Sequence, residues 1–245
     1  MADAYPSISA VIPMHNEAPY VPRCLDAVTA ALAALTPDFE VVVVDDASND
    51  GTGDLVRAYS QHEPRVRCVR NDINLTLGGT LRHGFGAATK DLVFYTDADL
   101  PFDLGLVEKA VRLLRFQEAD LVVAYRFTRT EEGVLRTVYS FFYNSLVRIL
   151  LKVRVRDINF SFKLFRRAIL PDLELKSGGS FIDAELVAKT IHRGYRVIQF
   201  GVDYFPRSIG VSKLSSFRVI FRILREFLSL RGETVRRRPR DGTGA

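Results

Sequence analysis

The chain has 245 residues, 47% of them hydrophobic, enough for one large domain or a domain with an appendage. Cys24 and Cys68 have neither CxxC spacing nor a third partner, which argues against a disulfide framework or zinc site and fits a reducing cytoplasm. The net charge of +5 is uneven: ten Arg or Lys residues lie between Arg207 and Arg240, against Glu226, Glu233 and Asp241. Such an end suits an anionic partner, although Arg236 to Arg240 with its Gly-rich finish reads as a solvated tail. Met1 to Pro6 has no basic n-region or apolar core, and no uncharged run approaches the roughly 20 residues of a membrane span.

Ile8 to Ile12 is a short apolar strand that Pro13 is expected to stop, followed by an irregular start over Glu17 to Pro22 and a helix through Ala27 to Leu35. Phe39 to Val44 is a β-branched strand ending in Asp45 and Asp46. Ala47 to Thr52 is a turn whose Thr52 is predicted to cap a helix over Gly53 to Gln61. Val66 to Val69 is a third strand, Gly78 to Ala88 a helix, and Leu92 to Tyr95 a fourth strand. A helix over Phe102 to Gln117 and a fifth strand over Ala119 to Tyr125 follow. This alternation predicts an α/β fold with a mostly parallel, doubly wound sheet flanked by helices.

The fourth strand ends in Asp97-Ala-Asp99, at the sheet edge where ligands bind in open α/β folds. An Asp-x-Asp pair there can hold a hard divalent cation that bridges to phosphate oxygens. A dinucleotide-binding domain is excluded, because Pro13-Met-His-Asn-Glu17 replaces the glycine fingerprint after the first strand. Phosphate charge must then be met otherwise, and a cation on Asp97 and Asp99 would do it.

Ile12-Pro-Met-His-Asn-Glu17, Val44-Asp-Asp-Ala-Ser-Asn-Asp-Gly-Thr52 and Asp97-Ala-Asp99, at these separations, resemble the family 2 glycosyltransferases with their GT-A fold. Arg126, Arg136 with Ser140 and Asn144, Asp157 before Phe162 to Arg166, and Arg207 to Lys213 look like the dolichyl-phosphate mannose synthase branch. The resemblance runs from Ile8 to about Leu230.

It implies nucleotide-sugar contacts from Pro13, His15, Glu17, Val44, Asp46, Asp97, Ala98 and Asp99, with His15 where the family usually has Tyr. Asp97 and Asp99 would hold the metal, Mg2+ by default or Mn2+, with Asp99 the stronger ligand. Arg126, Arg207 and Lys213 would close over the diphosphate and acceptor phosphate. Arg136 and Ser140 would form the acceptor-phosphate pair together with Arg126, and Asp97, Asp99 and Arg126 are the expected catalytic set. The chain departs from the family at Pro101, where Gln or Ser is common and Asp103 could substitute, and at Thr76, where the first glycine usually stands.

The implied reaction is inverting transfer of a sugar from a GDP- or UDP-linked donor to a polyprenyl phosphate, dolichyl or undecaprenyl. A phosphate monoester has a second pKa of about 6, so such an acceptor attacks without a general base. His62, His83 and His192 accordingly read as surface residues. Val134 to Leu151, broken by Arg136 and Arg148, is unusually apolar. Phe217 to Arg231 carries Arg218, Arg222 and Arg225 on one helical side. Both fit a membrane interface or a small membrane subunit, and otherwise read as core-packing helices. The expected location is cytoplasmic and peripheral, at the cytoplasmic face of a membrane.

The expected organisation is a catalytic domain over 1–214, an amphipathic helix over 215–231 and a flexible basic tail over 232–245. An alternative is a family 2 enzyme acting on a saccharide or glycolipid hydroxyl, which needs a base from Asp157, Asp183 or Glu185. A basic nucleic-acid-binding module would leave the acidic strand ends unexplained, so no nucleic-acid partner is expected.

Overall fold

The computed structural model describes residues 5–127, 149–205 and 232. Seven strands form one sheet in the order β3-β2-β1-β4-β6-β5-β7. They are β1 (Ile8–Met14), β2 (Phe39–Asp45), β3 (Val66–Arg70), β4 (Leu92–Tyr95), β5 (Leu121–Arg126), β6 (Lys163–Arg166) and β7 (Val197–Val202). All neighbours are parallel except β6, which runs antiparallel between β4 and β5. The sheet is therefore mixed, and β6 and β7 are strands that the sequence reading did not foresee.

The helices are α1 (Val21–Leu35), α2 (Thr52–Ser60), α3 (Thr76–Ala87), α4 (Leu106–Phe116), the single turn α5 (Leu170–Leu173) and α6 (Ile182–His192). One face of the sheet, with Ile8, Ala10, Ile12 and Phe94, packs against Leu25 and Val28 of α1 and Ala110 and Leu114 of α4. The other, with Val11, Val42, Val44 and Val93, meets Leu81 and Phe85 of α3 and Ile182 and Leu186 of α6. Alternate residues of each strand thus enter opposite cores, as a sheet covered on both faces requires.

Pro13 does not stop β1, which runs on to Met14. The Val11 carbonyl accepts from Thr96 N at 3.3 Å, so Pro13, two residues on, turns its missing N–H toward β4. β4 has already ended at Tyr95, opposite Val11, so no ladder bond is lost. Beyond that point β1 and β4 no longer pair, at the place where the strand order reverses, which in open α/β sheets is where a ligand crevice forms.

Thr52 is the first residue of α2 rather than its cap. Its hydroxyl instead accepts from Glu17 N at 2.9 Å and donates to Asp50 at 2.5 Å. Phe102 is not helical. Its buried ring packs edge-on against Phe94, Phe160 and Phe162 and anchors the turn after Asp99, so α4 begins only at Leu106. His192 is a core residue whose Nε2 meets the Leu151 carbonyl at 2.8 Å. His83 is exposed as expected, yet its Nδ1 bonds Asn71 Oδ1 at 2.6 Å.

Candidate active site

The carboxyl ends of β1, β2 and β4 bring the sequence-predicted residues to one edge. The two acids after β2 divide the work. Asp45 is fully buried, accepts Ser48 N at 3.0 Å and pairs with Arg70, so it builds the loop. Gly53 makes room for that pair, because a Cβ there would lie 2.3 Å from Asp45 Oδ2. Asp46 Oδ1 accepts Asn71 Nδ2 and Leu75 N, both at 2.8 Å.

The loop after β1 is laced to the loop after β2. Asn16 N donates to Ser48 Oγ at 3.0 Å, Ala18 N to Asp50 Oδ2 at 3.0 Å, and Asn49 N to Asn16 Oδ1 at 2.9 Å. Asn16 adopts φ 55°, a left-handed conformation that Asn tolerates. Since its Oδ1 accepts, its Nδ2 faces His15 Nε2 as a donor at 3.3 Å, while His15 Nδ1 donates to the Asp46 carbonyl at 2.7 Å. This network sets the His15 ring against the Asp46 backbone on one side and Asn16 on the other.

Asp97 and Asp99 follow β4 and are half-buried, and Asp99 Oδ1 is closed off from solvent. Burial pushes the Cys24 thiol of α1 up to about 12, and the charges of Asp99, Asp97 and Glu17 add to the shift. Burial likewise drives the Tyr95 hydroxyl well above its usual range, with Asp183, Asp97 and Asp99 contributing. Several carboxylates thus press on one small region, which favours a cation. Among the described residues no group of three or more His, Cys, Asp or Glu could hold a metal alone. A two-carboxylate, all-oxygen donor set fits Mg2+ or Mn2+ completed by phosphate oxygens and water, and does not fit a closed protein cage. Asp103 is exposed, and its Oδ1 accepts Gly105 N at 2.9 Å in the turn before α4.

The side chains of Val44 and Ala98 are buried in the two cores, Val44 beneath Gly84 of α3, which leaves mainly their backbone at the sheet edge. Pro13 and Glu17 are half-buried beside the acids. Arg126 ends β5 and donates through Nε to Asp157 Oδ2 at 2.7 Å, with its guanidinium 5.1 Å from the Tyr204 ring and 5.7 Å from that of Phe160. Arg136, Ser140, Asn144, Arg207 and Lys213 lie outside the described residues. So do most of the 134–151 segment, the 215–231 segment and, Gly232 apart, the 232–245 tail.

Sequence reasoning named Asp183 and Glu185 as possible bases but missed their burial and their lysine partners. Lys163 Nζ pairs with Asp183 at 2.5 Å, and Glu185 accepts Ser177 N at 2.7 Å and pairs with Lys189 at 2.7 Å. Glu185 holds the loop whose Gly178 carbonyl accepts Gly78 N at 3.0 Å, Gly79 N at 3.2 Å and the Thr76 hydroxyl. That carbonyl caps α3 where the family's usual glycine is replaced.

The family model described as "Glycosyl transferase family 2" matches residues 9–173. Glycosyltransferase AglD of Haloferax volcanii is 31% identical over 87% of this chain, which covers 35% of that protein. The undecaprenyl-phosphate mannosyltransferase of Micrococcus luteus is 28% identical over 94% of this chain and 98% of its own length. A solved structure, mannosyltransferase PcManGT from Pyrobaculum calidifontis with GDP-Man and Mn2+, is 25% identical with a TM-score of 0.61, over 84% of this chain and 60% of that one. The acidic strand end and both loops that face it fall within the matched span, on a GT-A sheet, and the chain belongs to glycosyl transferase family 2.

Proposed function

We propose that the chain is an inverting transferase that moves a sugar from a GDP- or UDP-linked donor to a polyprenyl phosphate. One observation carries the choice of acceptor: among the described residues, Asp157, Asp183 and Glu185, the carboxylates named as possible bases for a hydroxyl acceptor, are all enclosed. Asp157 is clasped by Arg126, Asp183 is paired with Lys163, and Glu185 is fully buried against two backbone amides and Lys189. An acceptor that arrives as an anion needs no base. The name of the Micrococcus relative, an undecaprenyl-phosphate mannosyltransferase, supports the same reading.

In this mechanism Asp97 and Asp99 would hold the divalent cation. When bound, that cation offsets the charge of the departing nucleoside diphosphate. Pro13, His15, Glu17 and Asp46 border the nucleotide, and the backbone at Val44 and Ala98 shapes the crevice floor. Arg126 brings a fixed positive charge to the same edge, while Arg207, Lys213, Arg136 and Ser140 take the phosphates. Their combined task is in-line placement of the acceptor oxygen, which inverts the anomeric centre.

The catalytic unit ends near residue 214, with the 215–231 helix and the basic 232–245 tail following. Phe127 and Phe205, which precede the two apolar and basic segments, are 62% and 57% exposed beyond the ends of the adjacent strands β5 and β7. Their exposure supports a reading in which membrane contact, direct or through a small membrane subunit, lies near this edge of the sheet, at the cytoplasmic face. No helix among the described residues is long and apolar enough to cross a membrane.

The test is transfer of label from UDP- and GDP-sugars into a chloroform-extractable product with a short polyprenyl phosphate and Mg2+. Label that vanishes with EDTA or in Asp99→Ala supports the proposal. Nucleoside diphosphate release without lipid labelling refutes the acceptor.

A further inference from the structure

We propose that Lys163 is a positioning residue that ties the metal-side strand end at Asp97 to the cationic side at Arg126. The inference rests on the reading of Asp97 and Asp99 as the cation site. Lys163 opens β6 and is 1% exposed, among the largest fully buried side chains of the protein. Its backbone pairs with Tyr95, the last residue of β4, and its Nζ lies 5.3 Å from the Tyr95 ring centroid. The Tyr95 hydroxyl points in turn at Asp97 Oδ1, a long contact of 3.4 Å.

The same ammonium reaches the other half of the site. Nζ donates to the Phe160 carbonyl at 2.7 Å and to Asp183 Oδ1 at 2.5 Å. Phe160 closes the short loop that begins with Asp157. That loop supplies both the carboxylate that clasps Arg126 and the ring over which the guanidinium lies. One buried charge therefore touches the strand leading to Asp97 and the loop holding Arg126. The antiparallel wedge of β6 is what brings it there, between β4 and β5.

A purely structural role would be served as well by apolar side chains, because a buried ion pair is often no more stable than well-packed hydrophobic residues of similar volume. Position is what an ammonium adds: three hydrogen-bonding protons, aimed here at a carbonyl and a carboxylate, and a charge set against an aromatic face.

The experiment uses the full chain carrying Lys163→Met with Asp183→Leu, which removes both charges and leaves neither uncompensated. Thermal unfolding and Mn2+ affinity are measured in the presence of UDP or of GDP. The expected result is a melting temperature near that of the wild type with Mn2+ binding weakened about 10- to 100-fold, the usual range for residues that orient metal ligands. A folded double variant that binds Mn2+ like the wild type overturns the proposal. Should the double variant fail to fold, Tyr95→Phe decides, since it spares the ion pair and the ring. Weaker Mn2+ binding in Tyr95→Phe supports the route through the hydroxyl, and unchanged binding overturns it. A wild-type chain that binds no Mn2+ with either nucleotide refutes the cation site itself, and the inference with it.

Discussion

Replacing Asp45 tests the claim that the two acids after β2 have separate roles. Asp45 has no exposure and serves the backbone N–H of Ser48, itself 5% exposed, as well as the guanidinium of Arg70. Asp45→Ala strands the Ser48 donor, at a cost of about 1–3 kcal/mol. It also removes the partner of Arg70, whose side chain is 44% exposed, so that loss is held to about 1 kcal/mol. The sum of about 2–4 kcal/mol lowers the melting temperature by roughly 4–16 °C in a chain of this size. Asp45→Asn keeps an acceptor for Ser48 and lowers it only by about 2–4 °C. Melting followed by circular dichroism, with nucleotide binding measured below the transition, gives both quantities. An Asp45→Ala chain that melts within about 2 °C of the wild type would refute the assignment of this carboxylate to the loop.

Gly84→Ala places a Cβ 2.5 Å from Val11 Cγ1 and 2.9 Å from Val44 Cγ2, and is expected to cost about 1–3 kcal/mol by overpacking. Pairing it with Val11→Ala should cost less than the sum of the two changes, read from denaturant melts. Burial tends to raise the Glu40 carboxyl, but hydrogen bonds from Ser9, Thr89 and Arg67 outweigh it and leave it below its ordinary value. A depressed folded pKa gives stability that is complete above the unfolded value and is lost as pH falls through the folded one. Melting temperatures should therefore drop on acidification below about pH 4.3, and less steeply in Glu40→Gln. Cys24, 1% exposed and with its thiol pushed up to about 12, should resist iodoacetamide in the native protein at pH 8 and react once unfolded, as mass spectrometry will show.

Of the five strands read from the sequence, Leu92 to Tyr95 is an unbroken apolar run and the other four are interrupted by a single polar residue, Ser9, Glu40, Arg67 or Asp120, so their β-branched and apolar content still located them. β6 escaped because Lys163-Leu-Phe-Arg166 begins and ends with a cation, and its partners lie far away in sequence. β7 is broken by Gln199 and Gly201. The acidic strand ends were legible for the same reason as the strands, since a carboxylate just after a buried run must reach the sheet edge. Which partners each acid takes was not legible, because Asp45 and Asp46 are chemically alike and both buried, and only the fold assigns Ser48 and Arg70 to the one and Asn71 and Leu75 to the other. The Lys163 to Asp183 pair spans 20 positions with no periodic signature, and His192 carries no sequence mark of the Leu151 carbonyl that it meets.

The antiparallel placement of β6 has a consequence for how the chain can be divided. A cut between residues 127 and 149 would leave β1 to β5 on one fragment and β6 and β7 on the other. Within the first fragment β4 and β5 share no hydrogen bonds, because the strand that joins them belongs to the second. β7 would in turn find its partner only in β5 of the first. Each piece thus carries open sheet edges that only the other can close, which suits the chain to split-protein reassembly, with the proposed sugar transfer as the signal that the two pieces have met.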